Sequence, residues 1–180
     1  TAPAAIPGED GIELLPQLLT FLDWELAKLV ENHVKSKGAN VITDNGVAAF
    51  LGEKGRLTTV KLANGTELPC ELAVVAIGVR PNVELARRSG LKVGELGGID
   101  VNEYMQTSDP DIYAGGDCGL VPNAITGKPG YYPLGSLSNR QGRVIGDNLA
   151  GKESVSPPVV GSFVVKLFET CLCGAGLTLK

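Results

Sequence analysis

The chain has 180 residues, with 16 Lys and Arg against 20 Asp and Glu and a formal charge of −4. That acidic balance argues against a nucleic-acid surface, while the length allows folding to bury about 70% of the unfolded surface, enough core for one or two small domains. The longest apolar run, 72–79, is far too short to span a bilayer.

Residues 1–8 lack the basic and apolar regions of a signal peptide. Together with 9–11 they form a Pro/Ala/Gly-rich stretch that reads as a linker. Residues 12–15 form a strand candidate stopping at Pro16. Asp23 is placed to cap a helix running to Lys37 and ended by Gly38. Leu26, Leu29, Val30 and Val34 supply its apolar stripe, and Glu31 pairs with Lys35 on the other face. His33, the only histidine, sits at the edge of that stripe, where packing explains it better than catalysis.

A strand at 41–43 precedes an Asn45-Gly46 turn. Segments 47–51 and 57–62 read as a β-hairpin with Gly55 in its connection, and Asn64-Gly65 turns the chain toward a buried strand at 72–77. A short helix at 83–89, ended by Gly90, leads to strands at 99–101 and 112–114. After a Pro/Gly/Asn-rich loop comes a helix over 133–150. Pro157-Pro158 breaks the chain, and a new strand begins at 162–168.

Three segments carry the chemistry. Thr107-Ser108-Asp109-Pro110-Asp111-Ile112-Tyr113-Ala114-Gly115-Gly116-Asp117-Cys118 places two glycines and an acid at the carboxyl end of a strand, where open α/β sheets bind ligands. Glycine lets a ligand approach the backbone, and a carboxylate accepts hydrogen bonds from polyol hydroxyls. In Ile77-Gly78-Val79-Arg80-Pro81-Asn82 a strand ends in a glycine and a proline stop. In Tyr131-Tyr132-Pro133-Leu134-Gly135-Ser136 a proline in the first helical turn would leave the N–H groups of Leu134, Gly135 and Ser136 at the positive end of the helix dipole. Gly142 and Gly146, four apart, suggest close packing of that helix on a sheet.

In this order the three segments resemble the FAD-dependent pyridine nucleotide-disulfide oxidoreductases, within them the branch of NADH oxidase, NADH peroxidase and coenzyme A-disulfide reductase. The resemblance runs from Ile12 to the end of the chain. It implies an α/β fold of partial FAD- and NAD(P)-binding Rossmann-like domains with a β-hairpin connection: linker 1–11, partial NAD domain 12–80, partial FAD domain 81–155, and the start of an interface domain at 156–180. It further implies that Asp117 holds the FAD ribityl chain, that Gly116 lets that chain pass, and that the helix start at Leu134, Gly135 and Ser136 faces the flavin pyrimidine. Gly78 would lie against the nicotinamide side of NAD(P)H. Glu13 would bind the adenosine ribose of NAD, with Phe21 flanking it. Cys118 follows the family pattern without being its redox cysteine.

The chain also departs from that pattern. No G-x-G-x-x-G fingerprint occurs anywhere in it, and Gly174-Ala175-Gly176 lacks the third glycine. The redox cysteine has no counterpart, so no catalytic residue is assigned. The four cysteines do not form a disulfide framework. The pair Cys171 and Cys173 lacks a second pair or histidines for a metal, so free thiols in a reducing, cytoplasmic compartment are expected. The expectation is a piece of a longer flavoprotein, inactive alone, whose parent passes electrons from NAD(P)H through FAD to a disulfide, oxygen or peroxide. The parent would be a homodimer acting on a small-molecule or disulfide substrate, away from nucleic acid and membrane. Two alternatives stand beside this: an NADH-dependent reductase of a small redox protein, and a non-enzymatic flavoprotein-like binding module.

Overall fold

The computed structural model describes residues 9–177; most of the expected linker lies outside them. The chain divides into two compact units, one running to Gly78 and including Val164–Leu172, the other comprising Val79–Phe163 with Cys173–Gly176.

The first unit opens with a parallel βαβ arrangement. Strand β1 (Asp10–Ile12) pairs with β2 (Asn40–Ile42), Asp10 opposite Asn40 and Ile12 opposite Ile42. Between them runs α1 (Trp24–Ser36), with extended Asp23 at its N-cap, Glu25 in its first turn and Lys35 in its last, the charge order a helix dipole favours. The strand expected at 12–15 thus lies earlier, over Asp10–Ile12. The helix is also rotated from the expected stripe. Ala27, Val30, Glu31 and Val34 are buried, whereas Leu26 and Leu29 are exposed. Glu31 can take a core-facing position because Lys28 and Lys35 donate hydrogen bonds to its two carboxylate oxygens, at 2.6 and 2.8 Å. His33 packs edge-on against Phe168, ring centroids 6.1 Å apart.

A three-stranded antiparallel sheet follows: β3 (Val47–Glu53), β4 (Arg56–Leu62) and β5 (Glu67–Pro69). The hairpin expected here forms through Lys54 and Gly55, both with positive φ, the geometry a two-residue connection demands. β5 carries too little apolar pattern to announce itself; it pairs Leu68 with Val60. The buried strand expected at 72–77 does not form. Leu72, Val74, Val75 and Ile77 stand in solvent, Ile77 at 93% exposure, and no strand among the described residues lies beside them. An apolar run of this kind suits a central parallel strand covered on both faces; here neither face is covered.

The second unit is held by short pieces. Helix α2 (Glu84–Arg88) places Ala86 in a cluster with Val83, Ile99 and Ala114. The strands expected at 99–101 and 112–114 reduce to isolated bridges. Ile99 pairs with Val93 and Gly119, and Tyr113 with Gln106. Strands β6 (Val121–Pro122) and β7 (Pro129–Gly130) form a two-residue ladder. Helix α3 (Gly135–Leu149) buries Leu137, Gln141 and Val144, and Leu137 and Val144 join Met105 and Val121 in a second cluster. Gly142 and Gly146 have open space around them, contrary to the expected close packing; the buried face of α3 is the one carrying Leu137, Gln141 and Val144.

Finally β8 (Phe163–Leu167) pairs with β9 (Thr170–Gly174). All four cysteines are free, Cys171 and Cys173 exposed on β9. Among the described residues no helix is long and apolar enough to cross a membrane, and no three His, Cys, Asp or Glu side chains gather as a metal set.

Candidate functional site

The loop around Asp117 is fixed from both ends. Ala114 N–H donates to the Met105 carbonyl at 3.0 Å, Ile99 N–H to the Cys118 carbonyl at 2.7 Å, and Leu120 N–H to the Ile99 carbonyl at 2.9 Å. Between these anchors the backbone turns at Gly116, where φ is +81°, a conformation that costs an L side chain strain. A Cβ there would make only ordinary contact with Ser138, 3.7 Å from its Oγ. Gly116 is therefore required for backbone direction. Its neighbour Gly115 is required for space: a Cβ would come within 2.9 Å of Ile145 and 3.3 Å of Gln141 on α3.

Helix α3 grips the same loop with two polar side chains. Gln141, only 1% exposed, accepts a 2.6 Å hydrogen bond from Gly116 N–H through Oε1. Ser138 Oγ lies 3.0 Å from Asp117 Oδ1 and 3.1 Å from the Leu134 carbonyl, so its proton serves one or the other. Neither residue was expected as part of the site. The available signal was Gln141, a lone amide between Leu137 and Val144 on the apolar stripe of α3.

The helix start differs from the expectation in one respect. Pro133 precedes the helix, Leu134 is its N-cap, and Leu134 N–H is already donated to the Tyr132 carbonyl at 2.8 Å. Leu137 and Ser138 N–H both reach the Leu134 carbonyl at 2.9 Å. What remains for an outside acceptor is the pair Gly135 and Ser136, the first two helical residues. Gly135 and Ser136 are exposed residues at the positive end of a 15-residue helix, and Ser138 in the same first turn ties the helix start to the Asp117 carboxylate. An open cleft of about 350 Å³ lined by Lys92, Asp100, Asn102 and Gln106 lies elsewhere in this unit and includes none of these groups.

The other expected residues lie in the first unit. Glu13 follows β1 directly; its N–H donates to the Ile42 carbonyl at 2.9 Å and its Oε1 accepts from Leu15 N–H at 3.0 Å. Phe21 is exposed. Gly78 has φ +92° and nothing within 4 Å of a would-be Cβ, at the end of the uncovered 72–77 segment. The structure thus joins Gly116, Asp117, Gly135 and Ser136, and keeps Glu13 and Gly78 in the other unit.

The pyridine nucleotide-disulphide oxidoreductase family profile matches residues 11–133. This chain belongs to that family. NADH oxidase of Methanocaldococcus jannaschii is 39% identical over 168 residues, 93% of this chain and 37% of the relative. An FAD-dependent pyridine nucleotide-disulphide oxidoreductase from Desulfovibrio vulgaris superposes with a TM-score of 0.87 at 44% identity, covering 94% of this chain and 43% of that one. An NAD-dependent persulfide reductase from A. fulgidus gives 0.88 at 43% identity, again over 94% of this chain but 31% of its own. The fold class is accordingly that of the FAD/NAD(P)-binding Rossmann-like oxidoreductases, whose cofactors are FAD and NAD(P)H. The chain spans about two fifths or less of the length of these relatives.

Proposed function

We propose that this chain supplies the flavin-facing part of an FAD-dependent enzyme that passes electrons from NAD(P)H to a disulfide, oxygen or peroxide acceptor. The observation that carries the reading is the junction of Asp117 with the start of α3, locked by Ser138 and Gln141. The residues fit the cofactor's polar edge. Asp117 Oδ2 has no hydrogen bond among the described residues, and a carboxylate there accepts from ribityl hydroxyls. Gly135 and Ser136 N–H donate to an electron-rich oxygen, and the helix dipole favours negative charge at that point. When bound, the flavin supplies the two-electron chemistry; this chain's groups orient it and stabilise charge beside it. Gly78 and Glu13 are proposed on the nicotinamide and adenosine-ribose ends of NAD(P)H. A homodimeric parent in a reducing, cytoplasmic setting belongs to the same proposal.

Titration of the chain with riboflavin or FAD, read by flavin fluorescence, tests the reading. Asp117→Ala removes a charge-assisted hydrogen bond worth about 1.5–3 kcal/mol, so affinity falls at least about 10-fold. Equal affinity of the variant and the unaltered chain would make Asp117 a solvated turn residue.

A further inference from the structure

A two-residue connection, Phe168 and Glu169, joins β8 to β9. Its first position is occupied against preference: Phe168 has φ +54°, the left-handed region that hairpin turns ordinarily give to glycine or asparagine. A bulky side chain there is strained, and such strain persists only where surrounding contacts hold it. Both turn residues find those contacts at the carboxyl end of α1, within the same compact unit. The Phe168 ring meets the His33 ring edge-on, centroids 6.1 Å apart and planes at 71°. Glu169 turns both oxygens toward α1: Oε1 accepts a hydrogen bond from Lys37 Nζ, and Oε2 lies 4.0 Å from His33 Nε2. His33 and Lys37 are four apart, one helical turn, so a single carboxylate spans them.

The two nitrogens respond differently to pH. A lysine ammonium holds its charge between pH 5 and 8, whereas histidine is the side chain that changes charge inside that window. The hydrogen bond from Lys37, ahead of smaller effects of its own backbone N–H and of the Lys37 and His33 charges, keeps the Glu169 carboxyl below the ordinary 4.5, so it stays ionised there. At 4.0 Å the His33 contact is too long for a hydrogen bond and becomes an attraction when the ring takes up a proton. We propose that His33, Lys37 and Glu169 form a proton-sensitive clamp that docks the β8–β9 turn on α1, tighter with His33 protonated and looser with it neutral. Lys37 opposes that protonation as a like charge, while the carboxylate between them and the carbonyl end of the helix favour it. The other charges on α1 near this end, Lys28, Glu31 and Lys35, bond one another. Strand β2, packed on α1, carries no titratable side chain, and Lys166 on β8 is exposed.

Hydrogen exchange over 163–174, expressed as protection factors so that the intrinsic pH dependence cancels, reads the clamp. In the unaltered chain protection should fall about 1.5- to 5-fold from pH 5.5 to pH 8, the range of an exposed ion pair, while the β3–β4 amides in the same samples stay constant. His33 is the only histidine, so His33→Gln should abolish the fall. Glu169→Gln, at a side chain 64% exposed, should lower protection at acid pH and also abolish the fall. Lys37→Gln should lower protection throughout and keep it pH-dependent. Protection that does not change with pH in the unaltered chain, or that changes equally in Glu169→Gln, overturns the clamp. A fall shared by the β3–β4 amides would belong to global stability and overturns it too.

Discussion

At the scale of single residues, a charge that enters the core must bring its partners with it. Glu31 is 6% exposed, and burial by itself would raise its carboxyl pKa. The hydrogen bonds from Lys28 and Lys35 outweigh that penalty and hold it below the ordinary 4.5. Lys28 is itself positioned over the Trp24 ring at 4.4 Å. A carboxyl whose pKa is lowered on folding adds stability above its unfolded pKa and loses it as pH falls through the folded one. Glu31→Gln should therefore lower stability at pH 7 by roughly 1 kcal/mol, discounted for the part-exposed lysines. Melting curves between pH 7 and pH 3 should converge for the two proteins at the acid end; a constant gap across that range contradicts the account. The Glu31–Lys35 pair was legible from its i,i+4 spacing. Its burial was not, because two nearby leucines offered a more apolar stripe than the one the fold uses. Asp117 stood out as a candidate for a related reason: an acid after two glycines at an expected strand end has few structural duties. Ser138 and Gln141 did not, since hydroxyls and amides are common on helices and only their partners distinguish them.

Elements were legible where local chemistry sufficed. The hairpin turn at Lys54 and Gly55, the α1 boundaries and the body of α3 all follow from turn residues, caps and periodicity. The run Leu72 to Val79 shows the limit. Its composition specifies a strand, but a strand forms only against a neighbour, and none of the described residues supplies one. Ile99 and Tyr113 do have neighbours, but each pairing is one bridge wide and does not extend into a strand. An uncharged apolar run left in solvent is adhesive. Ile77→Lys, at a side chain that touches almost nothing, should leave the melting temperature within about 1 °C and reduce concentration-dependent association in sedimentation velocity. Association unchanged by the lysine would show that another surface is responsible.

At the scale of the whole molecule, family membership rests on ordered segments spread along nearly the entire chain, yet the chain spans 37% of the Methanocaldococcus jannaschii relative. The proposed site is correspondingly partial. In that proposal the junction of Asp117 with α3 addresses a flavin's ribityl and pyrimidine edge. A dinucleotide's pyrophosphate is ordinarily cradled by a glycine loop feeding a helix N-terminus, and no such fingerprint occurs among these 180 residues. The most direct measurement is a comparison of three ligands on the unaltered chain: riboflavin, FAD and ADP, each followed through flavin fluorescence, with ADP as a competitor. Riboflavin and FAD should bind with affinities within about threefold of each other, weaker than micromolar, and ADP should displace neither. FAD binding at least about 10-fold tighter than riboflavin, equivalent to about 1.4 kcal/mol, or competition by ADP, would contradict the account.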